Sequence, residues 1–94
     1  MYFMYLYLGQ DEIIPEERVI GVFDMDMCSA GKRTREYLRK SEEAGAVLDA
    51  SGELPRSFIV ATHPYYDQIV YLSQRSSRAI YNQWREMADE KRVL

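Results

Sequence analysis

From Tyr2 to Leu8, apolar and aromatic side chains fill both alternating sets, Tyr2/Met4/Leu6/Leu8 and Phe3/Tyr5/Tyr7, and Gly9 ends the run. Such a stretch reads as a strand covered on both faces. A domain this small can hardly cover both faces of a terminal strand, so part of that surface is expected to meet another subunit. Ile13 to Pro15 gives a short second strand, held to an edge or a turn by its proline, and Val19 to Phe23 a third. After "DMDMCSAG" the period changes. Thr34, Tyr37, Leu38 and Ser41 fall on one side of a helix over Lys32 to Ala44, with Lys32, Arg35, Glu36, Arg39 and Glu43 on the other and Gly45 as its stop. Asp26 or Ser29 is placed to cap its first amides.

Val47 to Ala50 resumes an extended pattern, "SGELP" is a turn, and "RSFIVAT" and "QIVYLS" are β-rich runs joined through "HPYYD" as a hairpin. Ile80, Tyr81, Trp84, Met87 and Ala88 then mark one stripe of a C-terminal helix beginning near Ser76 or Ser77. The order β-β-β-α-β-β-β-α predicts an α+β fold: a small mixed, mostly antiparallel sheet of about six short strands with two helices.

The chain has 94 residues, enough for one modest core and no second domain, so 1–94 is read as a single domain. With 47% hydrophobic and 29% charged residues it is expected to fold as a soluble globular protein. One cysteine, Cys28, and one histidine, His63, cannot supply an internal disulfide or a Cys/His zinc site, which suits a reducing compartment. The N-terminal run has neither a positive leader nor a small-residue cleavage site and is short for a membrane span, so a cytoplasmic location is expected, with no membrane partner. The net charge of −3 is unevenly spread. Asp11, Glu12, Glu16, Glu17, Asp24 and Asp26 precede residue 32 with Arg18 as their only basic counterpart, whereas the segment from Lys32 to Lys40 holds Lys32, Arg33, Arg35, Arg39 and Lys40 against Glu36 alone. An anionic partner would meet the second segment.

"VIGVFDMD" ends in two carboxylates that, at a strand terminus, would project to one face, as a metal-assisted phosphoaspartyl mechanism requires. The rest of that chemistry is missing: Cys28 stands where the haloacid-dehalogenase pattern has Thr or Val, and so short a chain has little room for the lysine and late acidic pair. Asp24 and Asp26 read better as groups at a helix entrance. "GKRT" lacks the earlier glycine of a phosphate loop at position 26. His63 has no evident nucleophilic partner. Cys28 is either a thiol activated near a helix N-terminus or a small packing residue. No enzyme activity, cofactor, metal or small-molecule substrate is expected. The basic helix face can neutralise backbone phosphates, although charge runs on amphipathic helices are ordinarily solvated. The Tyr81/Trp84 stripe reads as core or subunit contact.

Five stretches together, "MYLYLGQD", "VIGVFDMD", "TREYL", "AVLDASGELPRSF" and "VYLSQRSS", resemble one bacterial family, the extracellular matrix regulators RemA and RemB, and the RemB branch above all. By that resemblance Met4 corresponds to the usual start, leaving residues 1–3 as an extension. The resemblance implies a DNA-binding transcription regulator of extracellular-matrix and biofilm genes, with LytTR-like subunits assembled into a ring-like homo-oligomer. Carried over, Arg18 matches a basic residue implicated in DNA contact, Arg56 one at the start of the following strand, and Arg35 a helix lysine. RemA-like chains have two consecutive arginines where this one has Glu53 and Leu54, so two phosphate contacts per subunit are absent.

The candidate contacts to double-stranded DNA are therefore Arg18, Lys32, Arg33, Arg35, Arg39 and Arg56. Those for an oligomer interface are Tyr2, Tyr5, Tyr7, Tyr81 and Trp84. The alternative is a protein of the same fold that forms oligomers and binds a protein partner instead of DNA.

Overall fold

The computed structural model describes residues 4–28 and 31–93. Strand β1 (Tyr5–Gly9) turns into β2 (Glu12–Pro15), and a single 3-10 turn (Glu16–Arg18) leads to β3 (Val19–Asp24). The short helix α1 (Met25–Cys28) and the longer α2 (Lys32–Glu43) follow, then β4 (Val47–Asp49), β5 (Ser57–Ala61), β6 (Ile69–Ser73) and α3 (Ser77–Val93).

The α+β class and the six strands match the sequence pattern, but the strands divide between two sheets. β1 and β2 form an antiparallel hairpin of their own, and the other four run in the order β3-β5-β6-β4. Within the larger sheet β3, β5 and β6 are antiparallel, while β4 pairs parallel to β6. The hairpin lies across a face of this sheet because Leu6, Leu8 and Ile14 all point inward and are buried there. Extending the sheet edge instead would have left them in water.

Alternation along the strands separates two apolar clusters. Ile59, Ala61, Ile69 and Tyr71 face the hairpin and Ile80 of α3, with Trp84 and Met87 packed around them. Phe58, Val60 and Val70 face the other way, against Tyr37 and Leu38 of α2. The layers are thus hairpin with α3, sheet, and α2. β5 sits at the centre, buried along its whole length, which is why "SFIVA" shows no polar alternation. Full burial of Leu6, Leu8, Ile59 and Ile80 contributes about 1.5–3 kcal/mol each.

β1 is covered on one face only. Leu6 and Leu8 are completely buried, whereas Tyr5 and Tyr7 are exposed on the outer face beside Ile13, which stands directly opposite Tyr7. The β1–β2 turn needs positive φ at both central residues, Gln10 (52°) and Asp11 (61°), the signature of a type I′ hairpin turn.

Helix α2 presents the expected faces but begins differently. Its N-cap is Gly31, with no side-chain cap hydrogen bond. Asp26 cannot serve, because it belongs to the first turn of α1, and Ser29 lies outside the described residues. The helix stops as the glycine suggested: Gly45 adopts φ of 72°, its N–H donates to the Glu42 carbonyl, and the Ala46 N–H donates to that of Ser41. This pair of bonds is the Schellman motif.

Candidate nucleic-acid interface

All six candidate cations are exposed. Their placement follows from the elements that carry them. Arg18 closes the 3-10 turn, and its carbonyl accepts from the Thr62 N–H, fixing it beside the C-terminal end of β5. Its charge reaches the sheet face beneath: burial and then the Glu12 carboxylate push the Tyr71 phenol above its ordinary value, and Arg18 opposes them. Arg56 sits at the opposite end of β5, where its N–H donates to the Ser73 carbonyl and its C=O accepts from Met25. The extended run from 56 to 62, at about 3.3 Å per residue, separates the two positions by about 20 Å. They cannot hold the same phosphate.

On α2 the cations divide. Lys32, Arg35 and Arg39 share the outer face, and Arg39 is bonded to Glu43 at 2.6 Å. That exposed i,i+4 pair contributes only about 0.3–0.5 kcal/mol and leaves Arg39 partly neutralised. Arg33 turns away from them to line an apolar trough with Ile20, Phe23, Tyr37, Phe58 and Val60. There the Phe23 and Phe58 rings are stacked with centroids 5.0 Å apart.

The turn before Arg56 is held by Asp49. Its carboxylate accepts from the hydroxyl and the N–H of the fully buried Ser51. These bonds, with a further one from the Gly52 N–H, lower its pKa. Glu53 and Leu54 project from this turn into solvent, Leu54 with 84% of its surface exposed. Of the interface candidates, Tyr5, Tyr7 and Tyr81 are exposed; Trp84 packs half-buried on the core with its ring edge-on to Tyr81, and Tyr2 lies outside the described residues.

Asp24 and Asp26 fall on different elements. The strand ends at Asp24, whose Oδ2 accepts from the Ser77 hydroxyl at 3.3 Å, and Asp26 belongs to α1. Among the described residues no cluster of His, Cys, Asp and Glu could hold a metal ion. No helix there is long and apolar enough to cross a membrane.

One further arginine has no periodic or charge pattern in the sequence to mark it. Arg75, just beyond β6, lies with Arg56 in an open cleft of about 490 Å³ between the hairpin and the sheet. Its Nη1 donates to the Tyr7 carbonyl at 2.7 Å and to Gln83 Oε1 at 2.8 Å, and its guanidinium lies 5.9 Å from the centre of the Tyr7 ring. The only sequence signal was its position in "SQRSS", a basic residue between hydroxyls directly after a buried strand.

No protein-family model matches the chain, and no curated protein aligns with it significantly. What the fold and these surfaces define is a small α+β domain with two longer helices, six mostly antiparallel strands and a distributed set of exposed cations.

Proposed function

We propose that this chain is a RemB-like oligomeric regulator without enzymatic activity that binds double-stranded DNA. The contacts run through Arg18, Arg56 and the basic face of α2. The observation that supports it best is the exposure of every candidate cation, Arg18, Lys32, Arg33, Arg35, Arg39 and Arg56, on a chain of net negative charge. A LytTR-like subunit in a ring-like assembly accounts for two further features. Repetition around a ring makes weak, separated phosphate contacts reinforce one another. A second subunit against Tyr5, Tyr7 and Ile13 would cover the outer hairpin face.

The test is a duplex titration at a series of salt concentrations, alongside a mass measurement in solution. The expected result is an oligomer whose log affinity falls linearly with log salt, by about 0.9 for each neutralised phosphate. Salt-insensitive binding, or none to long duplexes in low salt, overturns the DNA reading.

Glu53 and Leu54 favour a second reading. They stand exposed where DNA-binding relatives by resemblance carry arginines, and an apolar residue so fully exposed suits a protein contact. An oligomer with a flat DNA titration selects that reading.

A further inference from the structure

The cleft beside Arg75 is chemically one-sided. Arg56, Arg75, Gln10 and Gln74 line it together with Tyr7, and among the described residues no carboxylate does. It opens where the parallel strands β4 and β6 reach their carboxyl ends, at Ala50 and Gln74. We infer that this cleft is a binding site for a phosphate group, carried by a molecule of roughly nucleotide size.

The two arginines have complementary states. Arg75 is already anchored: Nη1 is committed to the Tyr7 carbonyl and to Gln83. A guanidinium has five N–H donors, so the Nε and Nη2 edge is left for a two-pronged contact with a phosphate, in a geometry already fixed. Arg56 forms no salt bridge among the described residues, and its side chain is free to close from the other side. Gln10 is positioned by Gly52, where an added Cβ would come within 2.1 Å of the Gln10 amide nitrogen. That glycine leaves room for the carboxamide at the cleft. A volume of about 490 Å³ lies within the usual range for small-molecule sites.

The phosphate could belong to a small molecule or to a nucleic-acid backbone, and the experiment separates the two. The full chain is titrated calorimetrically with inorganic pyrophosphate and with adenosine 5′-monophosphate, and then with the monophosphate in the presence of a duplex. Saturable binding is expected, weakened about tenfold or more in Arg56→Gln and in Arg75→Gln. It is unchanged in Arg85→Gln, which removes an equal charge from α3 outside the cleft. Because Arg75 also ties the hairpin down, Arg56→Gln is the decisive variant.

Mutual displacement of duplex and monophosphate supports the site and assigns it to a nucleic-acid backbone. Binding of both without competition supports it and assigns it to a small phosphorylated molecule. Absence of saturable binding by either probe, or an unaffected Arg56→Gln variant, overturns the inference. Duplex binding without probe binding overturns the inference and leaves the proposed function standing. Probe binding without duplex binding does the reverse.

Discussion

Arg75 grips Tyr7 twice, through Nη1 to the backbone carbonyl and through the guanidinium beside the ring, although 68 positions separate the two in sequence. This contact and the Ser73 hydroxyl, which donates to the Leu8 carbonyl, are polar ties between the hairpin and the β6 end of the larger sheet. Arg75→Lys keeps the charge but loses the planar guanidinium whose Nη1 serves Tyr7 and Gln83 together. A destabilisation of about 1–3 kcal/mol is expected in urea unfolding, from bonds to a charged donor. A change under about 0.5 kcal/mol would show that the Arg75 contacts add little to the hold on the hairpin.

The β1–β2 turn offers a gain in stability. Gln10 and Asp11 hold positive φ, where a side chain is disfavoured and glycine is at ease. Asp11→Gly is expected to stabilise by about 0.5–1 kcal/mol, seen as a raised midpoint in thermal unfolding. A lowered midpoint would contradict the assigned turn.

Asp49 links pH to the turn that carries Glu53 and Leu54. The Ser51 hydrogen bonds favour the carboxylate, so the folded-state pKa lies below the unfolded one. Their stabilisation is complete above the unfolded value and is lost as pH falls through the folded value. Ser51→Ala is expected to move the Asp49 titration upward towards its ordinary range, followed by NMR of its side-chain carboxyl carbon. An unmoved titration would remove the Ser51 hydroxyl as a cause.

The stacked pair on the α2 side should respond unequally to truncation. Phe58 is 3% exposed and Phe23 38%. Phe58→Ala is expected to cost about 3–5 kcal/mol and Phe23→Ala about 1–2 kcal/mol, since part of its ring is already in water. Equal losses in chemical unfolding would mean that Phe23 is covered in solution, as an assembled state would bring about.

Placing a basic pair in the turn probes the proposed DNA surface. Glu53→Arg combined with Leu54→Arg should strengthen duplex binding and steepen its salt dependence by up to about 0.9 per added contact. Arg18→Gln should weaken binding across all sequences and flatten the slope by about one. Anisotropy titrations at several salt concentrations read both effects, and a double variant that binds no better would place the turn away from the duplex.

Much of this fold was legible because periodicity reports which face of an element is buried. The Tyr37/Leu38 face of α2 and the Ile80/Trp84/Met87 stripe of α3 could be read from spacing, whereas β1, apolar on both alternating sets, did not show that Leu6 and Leu8 would be the buried pair. Periodicity does not name the neighbour, so the division into two sheets and the parallel pairing of β4 with β6 were not visible. Nor did it show that Asp26 belongs to a separate short helix, since an acidic residue before a helical pattern reads as a cap whichever helix it begins. The candidate surface was legible as residue types. The distance between Arg18 and Arg56, the turning of Arg33 into the apolar trough and the anchoring of Arg75 depend on contacts between residues far apart in the chain.

Both backbone polar groups of Arg56 are occupied, by Ser73 and by Met25, although the residue lies outside the β5 strand itself. Its mount is therefore rigid while its side chain is exposed. Any anion that engages it has only side-chain rotamers to order, a loss of about 0.5–1.5 kcal/mol, with no backbone to immobilise. Binding at this position should accordingly leave backbone amide exchange around residue 56 nearly unaltered, with the ordering confined to the guanidinium arm.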